Sequence, residues 1–236
     1  MEVSNPRARI IGVVYLLYFL SSLAGGFLLK EFVLPNDAAA TANGILANEP
    51  LYRLSISLEL VGNALYIALT ALFYNLFRPV GPRIALLAAF FGLAGGIIQL
   101  FGGLFELAPL VLLKDNHLLG VFSPEQVRVA ARLSFKMYNQ IYSISLPLFG
   151  FFMFPTGWLI IRSTFLPRII GVFWMCAGVS ALTFLWPPSL WLPAATAATV
   201  SGFVFPLAAV AEGSLMLWLL VMGVNVARWR DVASAR

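Results

Sequence analysis

Three carboxylates, Glu59, Glu106 and Glu212, interrupt otherwise apolar stretches of this sequence. A charge at the centre of a bilayer costs about 2.5–3.5 kcal/mol on the insertion scale, so each carboxyl there has to be neutral or paired. Glu59, Asn63 and Tyr66 recur at i, i+4 and i+7, and Gln99, Gly103 and Glu106 repeat that spacing, so each trio shares one helical face. If the two stripes converge with Glu212, they form an acidic pocket open to the outside, suited to a cation, a proton relay or a polar head group. The alternative is polar glue, with every carboxyl protonated or hydrogen-bonded to a neighbouring helix. Depth ranks the three: Glu212 lies nine residues after Phe203, about 13 Å along a helix and nearest the midplane, whereas Glu59 and Glu106 fall toward the outer interface.

Other chemistries have less support. No nucleophile and base stand at helical spacing, and neither HExxH nor GxSxG occurs. The lone His117 has no His, Cys or paired Asp beside it to complete a metal site, and neither metal nor cofactor is expected. A single cysteine, Cys176, excludes an intramolecular disulfide and is expected to be a small buried apolar side chain. Ala88, Gly92 and Gly96 make two small-xxx-small steps, with Gly95, Gly102 and Gly103 close by, which predicts close helix packing. A phosphate cradle would need such glycines in a polar loop before a helix, not in an apolar run.

A second candidate site is basic. Ser123-Pro124-Glu125-Gln126 has the spacing of a capping box, which predicts a helix leading into the fourth apolar stretch. On that helix Arg128, Arg132 and Lys136 form an i, i+4, i+8 stripe, able to hold lipid phosphates or an anionic ligand at the outer surface. A solvated or snorkelling face is the alternative. Asn36 or Asp37 can cap another short outer helix running through Ala47.

The elements that must position these residues are transmembrane helices. Six apolar stretches, 10–29, 56–77, 84–113, 141–161, 169–186 and 203–224, each approach the roughly 20 residues that cross a hydrocarbon core about 30 Å thick. With 61% hydrophobic and 11% charged residues in 236, nothing remains for a soluble domain, and residues 1–236 are read as one integral membrane domain. The fold expected is all-α, a polytopic bundle of six transmembrane helices in three hairpins with short outer-face helices. The net charge of +5 is scattered along short loops, not gathered on one face as nucleic-acid binding requires. Arg7, Arg9, Arg78, Arg83, Arg162, Arg168, Arg228, Arg230 and Arg236 cluster close to one set of span ends. Lys30, Arg53, Lys114, Arg128, Arg132 and Lys136 are spread through longer loops, so both termini are expected inside.

The first stretch imitates a signal peptide, but its length and the five spans that follow predict a retained helix. Tight turns at 78–83 and 162–168 predict antiparallel neighbours on either side of each. Spans one, three and five begin Arg9-Ile10-Ile11-Gly12-Val13, Pro82-Arg83-Ile84-Ala85-Leu86 and Pro167-Arg168-Ile169-Ile170-Gly171-Val172. Either an ancestral duplication or the common need for a basic anchor at an inward span start accounts for this. Pro147 and Pro155 should bend the fourth span, and the uncharged loop after the fifth should lie in the membrane interface, anchored by Trp186 and Trp191.

Four segments stand out along nearly the whole chain: Pro35-Asn-Asp-Ala-Ala-Ala-Thr-Ala-Asn-Gly-Ile-Leu-Ala, Leu51-Tyr-Arg-Leu-Ser-Ile, Arg162-Ser-Thr-Phe-Leu-Pro-Arg-Ile-Ile-Gly, and Glu212-Gly-Ser-Leu-Met-Leu-Trp-Leu-Leu-Val-Met-Gly-Val. In this order they resemble one family, the bacterial multi-pass membrane proteins of the domain of unknown function 4386 family. The resemblance implies a multi-pass protein of the bacterial cytoplasmic membrane and no activity. The family often has Asp where this chain has Glu59, and shares an acidic residue at Glu212.

Three functions compete. A binder or carrier of a small apolar or amphipathic molecule explains the buried acids and polar stripes. A membrane-embedded enzyme acting on a lipid-like substrate would use the same carboxylates as acid and base. A structural or accessory subunit would use them only to hold helices together. The partners expected are the bilayer and such a small molecule, with no nucleic acid.

Overall fold

The computed structural model describes residues 8–34 and 37–234. Arg7, Arg236 and the alternative cap Asn36 lie outside them. The described residues form ten α-helices and no strand: α1 Ala8–Phe32, α2 Ala38–Ala47, α3 Glu49–Phe77, α4 Pro82–Lys114, α5 Asn116–Val121, α6 Pro124–Arg162, α7 Arg168–Ala181, α8 Ala194–Gly202, α9 Val204–Val221 and α10 Val226–Ser234. Five stretches are long and apolar enough to cross a membrane, α1, α3, α4, α6 and the run Ala194–Val221. The expected fifth span is shorter: α7 ends at Ala181 and a 3-10 turn closes it at Leu182–Phe184. Trp186-Pro187-Pro188 explains the stop, because a residue before proline is pushed out of the α region. Beyond Pro193 the expected loop is instead α8, rich in alanine, which loses little entropy in a helix. Trp186 and Trp191 are both well exposed.

Local chemistry sets several boundaries as the sequence predicts. Asp37 caps α2 by accepting from the Ala40 N–H at 2.8 Å. The capping box opens α6 reciprocally, Ser123 N–H donating to Gln126 Oε1 at 2.8 Å and Gln126 N–H to Ser123 Oγ at 3.2 Å. α4 starts on Pro82, where a missing N–H has no intrahelical partner to lose.

The chain forms two compact units. One holds the described parts of Met1–Leu16, Tyr66–Gly96 and Ile144–Arg236. Its centre is aromatic: Phe73 and Phe152 stack at 6.3 Å, and Trp174 stands edge-on to both at 5.8 Å. The Trp174 indole donates to the Ala211 carbonyl at 2.8 Å, tying α7 to α9. α6 and α7 meet through glycine. A Cβ added to Gly157 would come within 2.6 Å of the Gly171 carbonyl oxygen, and one on Gly171 within 2.5 Å of the Gly157 oxygen. Gly150 and Gly178 repeat this at 2.8 and 3.0 Å, one pair running up one helix as it runs down the other, so the helices are antiparallel. α3 and α4 are antiparallel as well, Gly92 facing Thr70 and Gly96 facing Tyr66. The small-xxx-small steps on α4 thus make room for α3 side chains and for Phe152.

The same helix faces correct one expectation. α7 buries Ile170, Gly171, Trp174, Ala177, Gly178 and Ala181, a stripe at helical spacing. Cys176 falls on the opposite face and is exposed, not buried.

The other unit is Leu17–Leu65 with Ile97–Ser143. Its core gathers Leu29, Phe32, Ile45, Tyr52, Leu110 and Phe135, with Phe32 and Tyr52 edge-on at 5.3 Å. Glu49 accepts from Arg53 Nε and from Lys114 Nζ, both at 2.8 Å, joining the start of α3 to the end of α4. Exposed pairs of this kind contribute about 0–1 kcal/mol each.

Candidate functional site

The second unit brings Glu59 and Glu106 together. The two carboxyls lie within electrostatic reach of each other, and the Tyr138 side chain hydrogen-bonds Glu106. α1 makes room for the first. A Cβ on Gly25 would sit 3.0 Å from Glu59 Cγ and 3.1 Å from its Oε1, and one on Gly26 would sit 3.4 Å from the same oxygen. One step along, a Cβ on Gly62 would collide with the Ser22 hydroxyl, so α1 and α3 approach with almost no side chain between them. α4 makes room for the Tyr138 ring in the same way, through Gly102 at 3.4 Å. Asn63 turns its amide back to the Glu59 carbonyl at 3.1 Å, spending part of its donor capacity on its own helix. Gln99 is partly buried in the same unit.

Glu106 is the most buried acidic side chain described, at 2% exposure. Tyr52 donates to its backbone carbonyl, fixing α3 against α4 at this level. Its Oε1 is buried with no hydrogen-bond partner. A buried acceptor in that condition costs about 1–3 kcal/mol, because the water it gave up is not replaced. Glu59, Glu106 and the Tyr138 phenol are gathered here, with the Asn63 amide one turn along α3 from Glu59. That set can receive a positive charge or a donor group.

Glu212 and Tyr66 belong to the first unit. Glu212 is partly buried and hydrogen-bonded by Tyr15, and Tyr66 lies within electrostatic reach of it. The Tyr66 ring is packed edge-on against Phe149 at 5.1 Å and Phe152 at 6.0 Å. The stripe Glu59-Asn63-Tyr66 is therefore shared between the two units, its acidic end in one and its phenol in the other.

The basic stripe also divides. Arg128 approaches Glu125 at 3.9 Å, whereas Arg132 and Lys136 line a cleft with the start of α2. Among the described residues no three His, Cys, Asp or Glu side chains are grouped to hold a metal ion.

Sequence reasoning missed Tyr138, Tyr52 and the Gly25-Gly26 step. Tyr138 and Tyr142 at i, i+4 across the start of the fourth span are a visible signal, and Gly25 and Gly26 stand among the small residues that imitate a cleavage site. Tyr52 was visible only as part of the Leu51-Tyr-Arg segment, with nothing in its neighbours to mark its distant partner.

Over residues 10–223 the chain matches the family described as Domain of unknown function (DUF4386). Comparison with curated proteins and with solved structures finds no match.

Proposed function

The chain belongs to the DUF4386 family, and on that premise we propose a membrane-embedded binder or carrier of a small apolar or amphipathic molecule, with its acidic site at Glu59 and Glu106. One observation carries this reading: a carboxyl oxygen of Glu106 is buried without a hydrogen-bond partner, within electrostatic reach of a second carboxyl. Folding alone gains nothing from that arrangement, whereas a bound donor or cation satisfies it. Tyr138 orients Glu106, Gly25 and Gly26 admit Glu59, and Asn63 stands one turn along α3 from Glu59.

The bundle that holds this site is read as six-spanning with both termini inside the bacterial cytoplasmic membrane. Five long apolar helices and the shorter one at Arg168–Phe184 support six crossings. Arg9, Arg78, Arg83, Arg162, Arg168, Arg228 and Arg230 at one set of helix ends support the orientation. A purely structural role finds its support at Glu212, whose bond with Tyr15 fits polar glue between helices.

Native mass spectrometry of the full chain purified from its host membrane tests the proposal. A stoichiometric adduct present in wild type and lost in Glu106→Gln is expected. A bare protein in both, with unchanged melting, would leave the structural role standing in its place.

A further inference from the structure

We propose that the cleft between the start of α2 and the first turns of α6 holds the zwitterionic headgroup of a phospholipid, a phosphate diester carrying a primary ammonium. The cleft has a volume of about 410 Å³ and lies within the second unit. Its wall on α6 is one helical face, because positions 125, 129, 132, 133 and 136 follow helical spacing.

Charge decides the class of occupant. Arg132 and Lys136 bring two cations to the cleft, while Asp37 and Glu125 bring two carboxylates. A simple anion would meet attraction from the first pair and repulsion from the second. A zwitterion meets both with the right sign, its phosphate toward Arg132 and Lys136 and its ammonium toward the carboxylates. Asp37 already spends one oxygen on the cap of α2. Glu125 has only a 3.9 Å approach to Arg128 and an exposed side chain, so its carboxylate is the better ammonium acceptor. Arg128 does not line the cleft, which narrows the basic stripe to its last two members.

Apolar lining decides the source. Val129 and Leu133 are each 54% exposed on the same face as the charges, a mixture that a soluble headgroup compound leaves unused and a lipid covers with its glycerol and first methylenes. α6 has 39 residues and is about 58 Å long, far more than a hydrocarbon core about 30 Å thick, so its first turns can stand at headgroup level. This site shares no residue with the carboxyl pair, and its test does not depend on that reading.

Native mass spectrometry of the delipidated full chain at low salt, titrated with phosphatidylethanolamine, phosphatidylglycerol or glycerophosphoethanolamine, provides the measurement. Wild type should retain phosphatidylethanolamine about fivefold better than phosphatidylglycerol, a ratio set by one extra surface ion pair. Soluble glycerophosphoethanolamine should bind more weakly than either. Glu125→Gln should abolish the preference, weakening phosphatidylethanolamine by loss of the ammonium partner and strengthening phosphatidylglycerol by loss of a repelling carboxylate. Arg132→Gln with Lys136→Gln should release both lipids, while Arg132→Lys with Lys136→Arg should hold them, which separates loss of charge from loss of fold. Equal retention of the two lipids by wild type, or wild-type retention by the double Gln variant, would overturn the proposal. Glycerophosphoethanolamine binding as tightly as the lipid would overturn the lipid as its source.

Discussion

At Glu106, stability and binding pull in opposite directions. Its carboxyl is nearly sealed from the surface and one oxygen has no partner, so removing the group relieves a penalty of about 1–3 kcal/mol against about 1 kcal/mol for the Tyr138 hydrogen bond lost with it. Glu106→Leu should therefore raise the thermal midpoint in detergent while abolishing the adduct seen by native mass spectrometry. A lower midpoint would mean that the carboxyl contributes to the fold and is not kept for a ligand. The sequence made the acidic stripes legible, since Glu59 and Asn63, and Gln99 and Glu106, stand at helical spacings on apolar stretches. It could not show which carboxyl oxygen would be left without a partner, because that depends on Tyr138, far along the chain, taking part of Glu106 and on Asn63 turning back to its own helix. Ranking by depth put Glu212 first, and the structure supplies that residue with a tyrosine partner.

Among the elements, the α6–α7 hairpin is the one most dependent on absent side chains. Gly150 and Gly157 on one helix, and Gly171 and Gly178 on the other, are spaced by seven residues and meet in reciprocal pairs. Gly171→Leu would drive a side chain into the Gly157 carbonyl and the Ile161 backbone, and overpacking of this kind costs about 1–3 kcal/mol or more. Gly44→Ala is the matching control, because a methyl there meets nothing within 4 Å in the interior of α2, and a stabilisation of about 0.5–1 kcal/mol is expected. Thermal melts of the two variants in one detergent check both signs. The sevenfold spacing was present in the sequence, but spacing alone does not name the facing helix. The repeated span starts show where such reading runs out. Gly12 and Gly171 both sit against backbone, of α9 and α6 respectively, while the equivalent position on α4 is Leu86, which is 45% exposed. Packing thus gives two of the three starts a reason for their glycine, without a threefold architecture.

For the whole molecule, the all-helical class and the apolar helices followed directly from composition and run length, whereas the count of long spans did not. Residues 169–186 read as a span because apolarity continues through Trp186, while backbone geometry stops the helix before the prolines. A reporter fused after the last residue should behave as cytoplasmic, and one inserted at Asn43 or His117 as external. A periplasmic signal from the C-terminal fusion would invert the orientation. The most direct measurement compares native mass spectra of wild type, Glu106→Gln and Glu212→Gln, each purified full-length from the same membranes. Wild type and Glu212→Gln should carry the same small-molecule adduct, and Glu106→Gln should be bare with an unchanged fold by circular dichroism. An adduct kept by Glu106→Gln and lost by Glu212→Gln would contradict the assignment of the site to the Glu59–Glu106 pair.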